Sequence, residues 1–162
     1  MNYIIVEREA FHVTGIKQEF PFRIGEGSME GIPGVPIFWE EANKNGTTNR
    51  LTELNSGQIK GLLGITMNYN NMKSVVEYWI ATEHLGEVQS GLESLTIPAS
   101  KWVVFEVHGP IPVAIIQAWR FIHSEWFPSS GYEPAHIPPM EVYLDSDLHS
   151  ANAYNEIWIP IK

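Results

Sequence analysis

A carboxylate and an indole two residues apart on an extended strand point to the same side, and this chain carries that pair twice. Glu156 and Trp158 lie in the closing segment Tyr154-Asn155-Glu156-Ile157-Trp158-Ile159-Pro160-Ile161-Lys162, with Ile157, Ile159 and Ile161 on the other side. Glu77 and Trp79 repeat the pair 79 residues earlier, in Val76-Glu77-Tyr78-Trp79-Ile80. A third acid, Glu141, shares a side with Tyr143 in Met140-Glu141-Val142-Tyr143-Leu144. An acid among rings is a poor choice for plain packing, because a buried charge without a partner is costly. It suits an organic cation, which brings the missing charge and gains about 0.5–2 kcal/mol per ring. It also suits a general acid or base, since burial raises a carboxyl pKa. The ordinary alternative is a solvated outer face on each strand. Recurrence on three strands, with six tryptophans in 162 residues, favours a built aromatic site.

Other chemistry finds less support. The chain has no cysteine, which removes disulfides, thiolate metal sites and cysteine nucleophiles. Its six histidines, His12, His84, His108, His123, His136 and His149, lack metal-site spacing. There is no nucleophile elbow and no phosphate loop. Gly61-Leu62-Leu63-Gly64 fits a bend or a close backbone approach better than phosphate binding. The net charge of -9, from 10 basic and 19 acidic residues, disfavours a nucleic-acid surface and favours cations. No apolar run is long enough to cross a bilayer and no leader is seen, so a cytoplasmic location is expected.

The elements that position these residues follow a repeated order. Strands are predicted over 3–8, 11–18, 58–68, 73–82, 91–97, 101–108, 139–144 and 153–161. On the strand at 101–108, Trp102, Val104, Glu106 and His108 alternate against Val103, Phe105 and Val107. Helices are predicted over 35–44 and 112–127, the second from Ile115, Trp119, Ile122 and Trp126 at steps of three and four. The stretches 20–34, 45–57 and 128–139 read as connections. The order strand–helix–strand–strand occurs twice, giving an α+β fold of one domain, 1–162, with repeats of about 1–84 and 91–162. Short turns imply an antiparallel sheet, and one helix per repeat covers it.

The second half resembles a known family. Ile97-Pro98-Ala99-Ser100-Lys101-Trp102-Val103-Val104-Phe105-Glu106-Val107-His108-Gly109-Pro110, the Trp-bearing helix, Pro128-Ser129-Ser130-Gly131-Tyr132, Met140-Glu141-Val142-Tyr143-Leu144 and Glu156-Ile157-Trp158-Ile159-Pro160-Ile161-Lys162 are similar to the GyrI-like effector-binding domains. These form the ligand domains of multidrug-responsive transcription activators and also occur alone, some of them as integron-cassette proteins that bind cationic drugs. The chain looks like the stand-alone kind. The resemblance implies pseudo-two-fold symmetry and an aromatic ligand cleft between the halves. It implies that Glu141 matches the family's pocket glutamate, with Glu156 as a second candidate acid, and which of the two faces the cleft stays open. Trp102, Trp119, Tyr143 and Trp158 are the candidate walls. No cofactor or metal is implied. The expected partner is a lipophilic cationic aromatic molecule. Direct DNA contact is not expected, because the chain opens on its first strand without the activators' DNA-binding segment. A protein partner of the gyrase-inhibitor kind, a homodimer, and hydrolysis of an electrophilic drug-like compound remain open as alternatives.

Overall fold

The computed structural model describes residues 1–22 and 32–162. Its elements run β1 (Tyr3–Arg8), β2 (Phe11–Pro21), α1 (Val35–Lys44), α2 (Thr47–Leu54), β3 (Leu62–Asn70), β4 (Val75–Glu83), β5 (Glu93–Ile97), β6 (Ser100–His108), α3 (Val113–Phe121), α4 (Phe127–Ser130), β7 (Met140–Tyr143) and β8 (Tyr154–Ile161). The strands form one antiparallel sheet in the order β1-β6-β8-β7-β3-β4-β2-β5, an α+β architecture. The connection expected over 20–34 falls mostly outside the described residues, although β2 runs on to Pro21.

Two bent strands tie the sheet together. β1 leads into β2 through Glu9 and Ala10, and β5 into β6 through Pro98 and Ala99. One register runs along both: Tyr3 faces Phe105, Arg8 faces Ser100, Phe11 faces Ile97 and Gly15 faces Glu93. Together they make a single ribbon whose first part belongs to β6 and whose second part belongs to β2. The sheet therefore curls, and its inner face encloses Phe11, Val13, Leu63, Ile65, Trp79, Trp102, Met140 and Val142.

The helices cover the outer face, one set on each half. α1 and α2 bury Phe38, Ala42 and Leu51 against Tyr78 and Ile80 of β4. α3 and the turns after it bury Ile115, Ala118, Ile122 and Trp126 against Phe105, Ile157 and Ile159. Each side draws its stability from apolar area removed from water, at about 25 cal/mol per Å².

Two local readings change. The polar link expected over 45–57 contains α2. Its threonines are weak helix formers, but Leu51 is fully buried and the Asn45 side chain accepts from the Thr47 N–H and hydroxyl, so packing and this local acceptor override propensity. The loop expected from Pro128 begins instead in α4. Between α3 and α4 the turn Ile122–Trp126 is π-helical, so the regular i→i−4 ladder is already broken there. A proline early in the following turn then forfeits little.

A buried ion pair ties the end of β1 to the end of β4. Arg8, at the end of β1, places its guanidinium 2.8 and 3.3 Å from the two oxygens of Glu83, at the end of β4. The backbone N–H groups of Gln58 and Ile59 also donate to that carboxylate, and Arg8 lies 4.2 Å from the centre of the Phe11 ring. Burial alone would raise the Glu83 pKa. The guanidinium and the backbone donors outweigh it and hold the group below the usual carboxylate range.

Candidate functional site

The centre of the sheet is where β3 meets β7. Ile65 pairs with Met140 there. Ile65 also faces Trp79 on β4, and Met140 faces Trp158 on β8. One step along, Met67 faces Glu77 and Val142 faces Glu156. The two ladders thus match residue for residue about a dyad that passes between Ile65 and Met140. Glu141 lies one residue off this axis, on the helical side.

Alternation puts Met140 and Val142 into the inner core and turns Glu141 and Tyr143 toward the helices. Trp119 of α3 donates its indole N–H to Glu141 Oε2 at 2.9 Å, and the Tyr143 hydroxyl donates to Oε1 at 2.9 Å. The sequence places Trp119 on the apolar stripe of its helix and among the candidate walls. In the structure it is only half-buried and is turned onto the acid, with its ring stacked on His123 at 5.4 Å. Among the described residues no Lys, Arg or His lies within 4.0 Å of the Glu141 carboxylate. Burial raises its pKa, against the lowering effect of the two donated hydrogen bonds.

The first half completes the enclosure with residues that the sequence reading passed over. Trp39 of α1 packs edge-on against Tyr143, with ring centres 5.3 Å apart. Its N–H donates to the Tyr78 hydroxyl at 2.9 Å. Gly64, paired with Glu141 across β3–β7, makes room for both groups. A Cβ there would stand 2.2 Å from the Tyr78 hydroxyl oxygen and 3.4 Å from Glu141 Oε1. The one available clue was that Trp39 and Trp119 stand 80 residues apart, close to the offset of the strand pairs. Burial, and next the charge of Glu141, raise the pKa of Tyr78 and Tyr143 well above the phenol value, so both phenols are neutral, Tyr143 donating to Glu141 and Tyr78 accepting from Trp39.

The other predicted residues lie on the inner face, on the far side of the sheet. Val142 faces Glu156 across β7–β8, so Glu156 and Glu141 point oppositely. Trp158 donates to Glu156 Oε1 at 3.0 Å and Tyr154 to Oε2 at 2.7 Å. Trp158 packs on the fully buried Trp102 at 6.0 Å. Of the six predicted residues, Glu141, Trp119 and Tyr143 thus come together, and Glu156, Trp158 and Trp102 form a separate group. On the inner face of the first half, Glu77 accepts from the Trp79 indole and lies 3.4 Å from the Lys17 ammonium.

The end of β7 is anchored from β8. The fully buried Asn155 accepts, through Oδ1, the N–H groups of Leu144 at 2.8 Å and Asp145 at 3.2 Å. Two shallow depressions lie away from Glu141: one of about 500 Å³ at the ribbon bend beside Arg8 and Lys101, and one of about 290 Å³ between His108 and α3. No described helix is long and apolar enough to cross a membrane.

This fold recurs in solved structures. A Staphylococcus aureus MU50 protein assigned to bacterial transcription regulation shares 25% identity at TM-score 0.82, covering 100% of this chain and 99% of that one. SAV2435, solved bound to tetraphenylphosphonium, shares 24% at TM-score 0.84, covering 100% and 94%. An integron cassette protein from the mobile metagenome of Vibrio cholerae shares 18% at TM-score 0.66, covering 99% and 95%. No curated protein matches the chain. The GyrI-like family model matches residues 1–162, and the chain belongs to the GyrI-like small molecule binding domains.

Proposed function

We propose that the chain binds lipophilic, cationic aromatic molecules on the helical side of the sheet centre, with Glu141 as counter-charge. Trp119, Tyr143, Trp39 and Tyr78 form the walls. The observation that supports this reading is a partly buried carboxylate, its pKa raised by desolvation, that accepts from two neutral donors and has no cationic side chain beside it among the described residues. Such a group is poorly stabilised as an anion, and a cation that reaches it without its water shell recovers the deficit. The rings supply cation–π and apolar contact. A micromolar affinity corresponds to about -8 kcal/mol, within reach of one charge contact and several rings. The Trp119 indole bonds the acid and the Trp39 indole packs on Tyr143 beside it, so a ligand must displace them to reach the carboxylate. Glu156, Trp158 and Trp102, on the far side of the sheet, are assigned to the inner core and its rim.

Tetraphenylphosphonium, the ligand of SAV2435, is the natural probe. Titration is expected to quench tryptophan fluorescence saturably at one equivalent, without product. Glu141→Gln is expected to weaken it about tenfold to a hundredfold, or 1.4–2.8 kcal/mol, while leaving neutral triphenylphosphine oxide unaffected. Equal losses for both probes would remove the acid's role, and turnover of a ligand would replace binding with hydrolysis.

A further inference from the structure

The dyad makes the two ends of the proposed site directly comparable, and they are chemically unlike. The register that relates Ile65 to Met140 relates Thr66 to Glu141 and Asn68 to Tyr143. Thr66 is half-buried and faces Tyr78 across β3–β4, on the helical side. Asn68, in the left-handed region at φ 55°, turns its amide to Glu77 on the inner face. Where the second half offers the Trp119 N–H a carboxylate, the first half offers the Trp39 N–H the phenol of Tyr78. Among the described residues, one end of the proposed site thus carries a carboxylate, and the other carries hydroxyls and rings.

Resting on the reading of Glu141 as counter-charge, we infer that the pocket takes single-charged cations in one orientation. The charged centre lies under α3 against Glu141, and the uncharged aromatic body lies under α1 against Trp39 and Tyr78. Thr66 is then a specificity-determining residue: it stands where an acid would welcome a second positive charge. A ligand with two charges would bury one of them against neutral groups, or leave it in water and forgo the contacts of that end. The Tyr78 phenol cannot ionise to help, because burial and the Glu141 charge both hold its proton.

The test compares tetraphenylphosphonium with hexamethylene-bis(triphenylphosphonium) on the wild-type chain, in salt that screens the net charge of -9. The double cation is expected to bind no more than about twofold tighter, the statistical advantage of two equal ends. Tenfold tighter binding would overturn the inference. Thr66→Glu, with fold checked by circular dichroism, is expected to shift the ratio at least tenfold toward the double cation. Glu141→Thr is expected to lose tetraphenylphosphonium, and adding Thr66→Glu to it to recover at least tenfold. A folded Thr66→Glu chain with an unchanged ratio would sink the role of Thr66 and leave Glu141 standing. Undiminished binding in Glu141→Thr would instead sink the underlying reading of the pocket. Should Thr66→Glu fail to fold, Thr66→Asp replaces it, and the wild-type comparison decides in either case.

Discussion

Glu83 and Glu141 are both carboxylates on strands of the sheet, the first fully buried and the second partly buried, and the fold treats them in opposite ways. Glu83 receives a guanidinium and two backbone donors, and its pKa falls. Glu141 receives an indole and a phenol, and its pKa rises. Neutral donors orient an anion, but they do not cancel its charge. A buried acid with its cation built in is a structural joint; the acid without one is the group to which the proposed function assigns a cation from outside.

The largest effect that would break this contrast comes from the ion pair. Glu83→Ala leaves the Arg8 guanidinium buried and unpaired, and is expected to cost about 3–5 kcal/mol in urea unfolding. Glu141→Gln in the same assay is expected to cost nothing. Its amide oxygen can accept from Trp119 while its NH2 donates to the Tyr143 hydroxyl, which accepts as readily as it donates. Comparable losses for the two variants would erase the distinction.

A smaller effect is expected at Gly64. Gly64→Ala pushes the Tyr78 hydroxyl off its place under Trp39 and is expected to cost about 1–3 kcal/mol by overpacking. Adding Tyr78→Phe removes the clashing oxygen and should recover most of the loss. Without recovery, the crowding lies elsewhere.

The pH dependence sharpens the contrast further. The lowered Glu83 pKa gives stability that is complete above the ordinary carboxylate range and is lost as pH falls through the native value. The raised Glu141 pKa works the other way, with stability declining as pH rises from the ordinary carboxylate range through the native value. Cation affinity is expected to rise across that second window, because ligand and proton compete for one carboxylate. Urea midpoints and phosphonium titrations over a pH series, with Glu141→Gln as control, measure both trends. The smallest effect belongs to Lys17→Met on the inner face. It removes the exposed contacts with Glu77 and Trp79, and is expected to shift the thermal midpoint barely and not at all in high salt.

Much of this was readable before any coordinates. Strand alternation alone places Glu141 with Tyr143, and Glu156 with Trp158. The offset between the Glu77 and Glu156 pairs foreshadows the dyad. What alternation leaves open is which side of the sheet two different strands share. That depends on the register of β7 against β8, where Val142 rather than Glu141 meets Glu156. A non-local pairing of this kind leaves no mark in either segment. Trp39 and Tyr78 escaped notice for a related reason: each sits beside a core residue, Phe38 or Trp79, that explains its neighbourhood without invoking a site. Gly64 has meaning only once the Tyr78 hydroxyl is known to lie against it.

Asn155 carries one more consequence. By gripping Leu144 and Asp145, it fixes the end of a strand only four residues long, Met140–Tyr143. One residue inserted or deleted within that strand would swap its sides, sending the carboxylate into the dry interior and a valine or methionine toward the helices. The turn from Ser146 to Asn152, beyond the grip, has no such duty. Length changes accumulated by relatives should therefore collect in that turn and spare the four residues before it.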